Sequence, residues 1–153
     1  MRLKKALKRL DSSLDCGVVV KKENIYYLTG FYPTSFAVLV LGDAPYLAVS
    51  EMDAGLSKDL DIEVKVVKGF KKELRFKGRV GVEKRSTTIG FAEDYLKGCK
   101  VEDLRFIEEM REVKEPVEIE RIKQAVKVAE TVLESVETKG GSEREVAASI
   151  AYE

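Results

Sequence analysis

Histidine is absent from all 153 residues of this chain. That absence excludes Ser-His-Asp and Cys-His nucleophile systems, histidine-ligated zinc and imidazole acid–base chemistry within it. Tryptophan is missing too, and Asn24 and Gln124 are the only side-chain amides. Charged residues make up 35% of the chain and are mostly Lys and Glu. Abundant Lys and Glu with few deamidation-prone residues predicts a thermophile protein. The cysteines, Cys16 and Cys99, lack metal-site spacing; buried free thiols and a disulfide in a hyperthermophile cytosol are both open readings. Neither sign of charge dominates, with 27 basic and 27 acidic residues. A nucleic-acid binder needs a basic surplus, so nucleic acid is not an expected partner. The pairs Lys4-Lys5, Lys71-Lys72 and Lys84-Arg85 are interleaved with Glu and form a mixed solvated surface. The longest apolar run, residues 36–41, is too short to span a bilayer. The basic N-terminus is not followed by an apolar h-region, which predicts a cytoplasmic protein with no membrane partner.

With 44% hydrophobic residues, the chain has enough apolar surface for one domain with a core and a little more. Leu3, Leu7 and Leu10 fall at helical spacing and predict a surface helix. Residues 16–20 predict a short buried strand. Asn24 is placed to cap a helical turn over 25–28, which Gly30 ends by taking positive φ. Residues 35–41 suit a central strand covered on both faces, and 42–45 turn back into a second strand as an antiparallel hairpin. Ser50 and Asp53 mark a helix start for 51–58. Ile62, Val64 and Val66 alternate with charges as a half-buried strand. A short helix over 70–76 ends at Gly78, and 79–83 form another strand. Thr87 or Thr88 caps a helix that buries Phe91, Tyr95 and Leu96 and stops at Gly98. Val101, Leu104 and Ile107 are expected to lead out of the domain. Strands alternating with helices, with one hairpin among them, predict an α/β layered fold on a mixed sheet.

The last third carries the strongest helix pattern. Glu115-Pro116 starts it, with Pro suited to the first position and Glu118 and Glu120 near its positive end. Ile119, Ile122, Val126, Ala129, Leu133 and Val136 form a seam, widened by Ala125 and Val132. That seam needs a partner surface, and predicts concentration-dependent self-association of this chain. The Gly140-Gly141 pair has no phosphate-binding pattern around it. After it, Ser142-Glu143-Arg144-Glu145 opens another helix close to Glu153, the pattern expected of a fragment of something larger.

Three segments together resemble the N-terminal, non-catalytic domain of the creatinase/prolidase family. Asn24-Ile-Tyr-Tyr-Leu-Thr-Gly-Phe31 is similar to the family's N-x-x-Y-L-T-G-F turn. Arg79-Val-Gly-Val-Glu83 is similar to its G-x-E strand. The stretch from Ile107 through Met110, Arg111, Lys114, Glu118, Ile119 and Ile122 to Ala125 resembles its linker I-x-x-L-R-x-x-K-x-x-x-E-I-x-x-I-x-x-A. The archaeal Xaa-Pro dipeptidases are the branch most resembled. The resemblance implies a ribonuclease-H-like three-layer α/β sandwich over residues 1–110, followed by a long linker helix. Residues 111–153 would then be the linker and first helices of a truncated C-terminal catalytic domain. It further implies a parent hydrolase that cleaves peptide bonds before proline with two divalent metal ions, Mn, Co or Zn being undecided. The family's metal and catalytic residues belong to the C-terminal domain. The resemblance therefore assigns no catalytic, cofactor-binding or metal residue here, and implies an inactive, metal-free fragment. Its implied partners are the catalytic domain, a second copy in a homodimer, and the parent's peptide substrate. The loop Phe31, Tyr32, Pro33, Thr34 and Ser35 would overhang the catalytic cleft; alternatively it is a rigid turn feeding the central strand. Some relatives place a histidine in this loop, and this chain has none.

A ribonuclease-H-like fold also raises a nuclease reading, with Glu51, Asp53 and Glu83 gathered around magnesium. Asp53 at a helix start and Glu83 at a strand exit are expected to be solvated instead, and fold alone does not imply function. Two alternatives stand beside the favoured reading: a stand-alone protein-interaction module of the same fold, and the N-terminal domain of an aminopeptidase P.

Overall fold

The computed structural model describes residues 2–136 and 142–152. The Gly140-Gly141 break expected from the sequence lies outside the described residues. The chain divides into two units, Met1–Glu112 and Val113–Glu153.

The first unit is built on a six-stranded mixed sheet of order β4-β3-β2-β1-β5-β6. Its elements in chain order are α1 (Arg2–Arg9), β1 (Cys16–Val19), α2 (Lys22–Thr29), β2 (Ala37–Leu41), β3 (Tyr46–Val49), β4 (Glu63–Val66), α3 (Phe70–Glu73), β5 (Arg79–Val82), α4 (Ile89–Tyr95), β6 (Lys100–Asp103) and α5 (Phe106–Glu112). β2 is antiparallel to both β1 and β3, with Val18 opposite Val40 and Leu39 opposite Leu47. β4 runs parallel to β3, while β1, β5 and β6 run parallel to one another. Every residue of β2 is buried, as its unbroken apolar run requires of a strand covered on both faces.

Alternation along the strands divides the interior into two layers. Val19, Leu39, Leu41, Leu47 and Val49 face one way, against Ala6, Ile25, Leu28 and Ile107 from α1, α2 and α5. Val18, Val38, Val40, Val80 and Val82 face the other way, against Phe91 and Leu96 with Phe70 and Tyr95 at the margin. Helices on both faces of the sheet make a three-layer sandwich.

Local signals act where the sequence places them. Gly30 takes a left-handed φ of 78° as the cap of α2, whereas Gly98, at 83°, lies beyond α4, whose cap position is Leu96. Thr88 caps α4, its hydroxyl accepting from the Phe91 N–H at 3.1 Å.

Several expectations are corrected. Asn24 does not cap α2: the cap position is Lys21, and Asn24 sits inside the helix, fully buried. Residues 51–59 form successive turns and not a regular helix. The two side chains expected to start the helix are engaged elsewhere, the Ser50 hydroxyl with Ser35 at 2.7 Å and the Asp53 carboxylate with Thr34 and Ser35. Val101, Leu104 and Ile107 do not lead out of the domain. Val101 lies in the edge strand β6, and Leu104 and Ile107 are core residues at 1% and 0% exposure. Cys16 and Cys99 are both free. β5 separates the strand of Cys16 from the strand that follows Cys99. Burial, then the neighbouring Cys99 and Asp15, push the Cys16 thiol up to about 11, so it is protonated at neutral pH.

The second unit contains α6 (Pro116–Ser135) and α7 (Glu143–Tyr152). α6 begins with a reciprocal capping box between Glu115 and Glu118 and carries Pro116 in its first turn. Ser142 and Glu145 start α7, the Ser142 N–H and hydroxyl donating to the Glu145 carboxylate at 2.7 and 2.9 Å. Along α6, Ile119, Ile122, Val126 and Leu133 are all exposed.

Candidate functional site

Gly30 ends α2 and throws the chain into the loop of residues 31–35. Phe31 and Pro33 turn inward and are buried, while Tyr32 stands 52% exposed. Tyr32 meets the exposed Tyr26 ring edge-on, with centroids 6.1 Å apart. Phe36, 42% exposed, continues the aromatic surface into a cluster with Phe70, Phe91 and Tyr95.

The loop is held from beneath by Asp53, whose side chain the sequence placed in solvent. Asp53 is fully buried. One carboxylate oxygen accepts the Thr34 N–H at 3.1 Å and hydroxyl at 2.6 Å; the other accepts the Ser35 N–H at 3.1 Å and hydroxyl at 2.7 Å. Burial pushes this carboxyl up, but the hydrogen bonds from Thr34 and Ser35 outweigh it and hold the group below its ordinary value. Lys22 adds a contact from α2, its ammonium donating to the Thr34 carbonyl at 3.0 Å. The loop is therefore a fixed turn that presents one aromatic side chain outward.

Glu83 is the second misplaced carboxylate. It is 5% exposed at the end of β5, in the crevice between β1 and β5. Parallel α/β sheets commonly bind ligands at such crevices, where consecutive crossovers leave opposite faces. Here the chain fills the crevice itself. One Glu83 oxygen accepts the Val20 and Lys21 N–H groups at 2.9 and 3.0 Å, and the other accepts the Asn24 side-chain amide. The carboxylate thus occupies the place of an anion at the start of α2. Burial pushes Glu83 above its ordinary value, with the Lys21 N–H, the Asn24 amide and the Val20 N–H pulling the other way. The Asn24 carbonyl oxygen in turn accepts from Arg111 Nη1 at 2.7 Å.

This chain of contacts joins the three motif segments found in the sequence. Asn24 comes from the first, Glu83 from the second and Arg111 from the third. Other motif residues have local reasons. The Tyr27 hydroxyl donates to the Met110 carbonyl at 2.8 Å. The Thr29 hydroxyl donates to the Ile25 carbonyl at 2.7 Å and accepts the Phe31 N–H at 3.2 Å. A Cβ on Gly81 would lie 2.5 Å from Leu104 Cδ2 and 2.9 Å from Leu14 Cδ1, so only glycine lets these leucines reach the sheet. Asn24 being the chain's only asparagine, within the first motif, was the available sequence signal for its role. Arg111 was marked by its place in the third motif, while Asp53 carried no signal.

Two metal ions do not fit the described residues. No group of three or more His, Cys, Asp or Glu side chains among them could hold one. Asp53 and Glu83 already have both oxygens committed to protein donors, and Glu51 is exposed. Among the described residues no helix is long and apolar enough to cross a membrane.

An uncharacterised peptidase of Methanocaldococcus jannaschii is 35% identical over 99% of this chain and 45% of its own length. The Xaa-Pro dipeptidase of Pyrococcus horikoshii is 29% identical over 99% of this chain and 46% of its own length. The crystal structure of the prolidase from Pyrococcus horikoshii superimposes with a TM-score of 0.88 at 29% identity, over 99% of this chain and 47% of that one. The chain thus spans about half the length of the curated relatives it matches. The family model for the creatinase/prolidase N-terminal domain matches residues 2–113, and the chain belongs to that family.

Proposed function

We propose that this chain acts as the N-terminal, non-catalytic part of a Xaa-Pro dipeptidase, a hydrolase that cleaves the peptide bond before proline. The observation that carries the reading is the convergence of the three motif segments on Glu83, Asn24 and Arg111. That convergence spends the buried carboxylate of the β1/β5 crevice on architecture and leaves it no catalytic task. In such a parent, two divalent ions (Mn, Co or Zn) supply Lewis-acid chemistry and activate water near neutral pH. Their ligands would come from a C-terminal catalytic domain, since the residues described here do not fit them.

The role left to this unit is support. The loop of residues 31–35, fixed by Asp53, is suited to wall a catalytic cleft with Tyr32 pointing outward. The exposed apolar stripe of α6 is suited to pack against the catalytic domain. The parent would work in the cytoplasm as a homodimer. Purified chain supplied with Mn, Co or Zn should not hydrolyse Leu-Pro above a metal-only control. Metal-dependent turnover by the chain alone would overturn the reading.

A further inference from the structure

The face of the sheet that carries α1 and α2 holds a cavity of about 320 Å³ between α1, the end of α2 and the segment entering β4. About half of its lining is apolar, from Leu3 and Leu7 of α1, Leu28 of α2 and Ile62, and the rest is polar. Leu28 belongs to the core on that face, and Leu3, Leu7 and Ile62 pack against it. Lys4 and Asp61 stand at its exposed rim. The two carry opposite charges yet form no ion pair with each other, and among the described residues neither has another partner. Glu63, also at the rim, lies 3.7 Å from Lys65.

This volume is at the small end of ligand cavities, enough for one compact molecule. A part-apolar, part-polar lining that includes an unpaired ammonium and an unpaired carboxylate complements a zwitterion with an aliphatic side chain. A neutral apolar ligand would leave both charges unused, and an ion of one sign would meet the opposite group at one edge only. We infer that this cavity binds a free α-amino acid with a branched aliphatic side chain. The ligand carboxylate pairs with Lys4, its ammonium pairs with Asp61, and its side chain rests on Leu3, Leu7, Leu28 and Ile62. The inference rests on this cavity alone and stands or falls apart from the peptidase reading.

Titration of the methyl-labelled chain with L-leucine, followed by NMR, tests it. Saturable shifts of the Leu3, Leu7 and Ile62 methyls are expected in the millimolar range, as for a small ligand held by exposed charges. N-acetyl-L-leucine lacks the ammonium and L-leucinamide the carboxylate, so each should bind roughly threefold or more weakly. Lys4→Glu and Asp61→Lys should weaken L-leucine similarly while leaving the circular dichroism unchanged. Absence of saturable shifts up to about 20 mM would overturn the inference. So would equal binding of all three compounds, which would reduce the cavity to an apolar crevice.

Discussion

Arg111 Nη1 donates to the Asn24 carbonyl oxygen at 2.7 Å, across a sequence separation of 87 residues. Asn24 passes the interaction on, its amide donating to the buried carboxylate of Glu83. Arginine, amide and carboxylate form a polarised series in which each donor faces an acceptor. Asparagine suits the middle position because it both donates and accepts. This series ties α2, β5 and α5 together.

Substitution at Asn24 should therefore be costly in a charge-dependent way. Asn24→Ala leaves Arg111 without its acceptor and removes one donor from Glu83, which should cost about 2 kcal/mol. Asn24→Asp sets a second carboxylate against Glu83 and should cost about 3 kcal/mol or more at neutral pH. Urea titrations should show the gap between the two variants narrowing as pH falls and the carboxylates protonate.

The two buried carboxylates should leave opposite marks on stability against pH. Burial raises Glu83, so the folded state holds a proton that the unfolded state has released. Its contribution is fully present below the ordinary value of 4.5 and is lost as pH rises through the raised folded value. Asp53 is lowered, with its hydrogen bonds to Thr34 and Ser35 outweighing burial. Its contribution is present above the ordinary value of 3.8 and is lost as pH falls through the lowered folded value. Denaturant midpoints measured from about pH 2 to about pH 8 should show Glu83→Gln flattening the decline above 4.5. Asp53→Asn should flatten the acid limb.

Asp53→Ala should also release the loop. Removing the acceptor for the N–H and hydroxyl groups of Thr34 and Ser35 should cost about 3 kcal/mol. Hydrogen exchange at the Thr34 and Ser35 amides should accelerate beyond what the loss of global stability explains.

Gly81→Ala should destabilise through packing alone. Its Cβ would press into Leu104 and Leu14 at 2.5 and 2.9 Å, and forcing them apart should cost about 2 kcal/mol. Leu104→Ala in the same chain should recover part of that loss, a double-mutant coupling that a purely backbone effect would not produce.

Much of the fold was legible because its signals are local. The unbroken apolar run of β2, the 42–45 turn and Gly30 at the end of α2 each act within a few residues. β6 was missed because Lys100, Glu102 and Asp103 leave Val101 as its only apolar residue, a composition that suits a sheet edge. The helix expected over 51–58 is replaced by turns, and the Ser50 and Asp53 side chains meant to start it bond Ser35 and Thr34 instead. Asp53 and Glu83 look like solvated acids locally; their partners lie 18 to 19 and 59 to 63 residues away. Position in sequence says nothing of such pairings. The motif segments were recognisable one by one, but only the fold shows that they meet.

The most direct measurement is a domain exchange. Residues 2–113 of this chain would replace the matching segment of the Pyrococcus horikoshii Xaa-Pro dipeptidase, and hydrolysis of a Xaa-Pro dipeptide would be followed. A supporting domain predicts that the chimera folds and still cleaves the dipeptide. A chimera that folds by circular dichroism yet has lost hydrolysis would contradict the supporting role assigned to this chain.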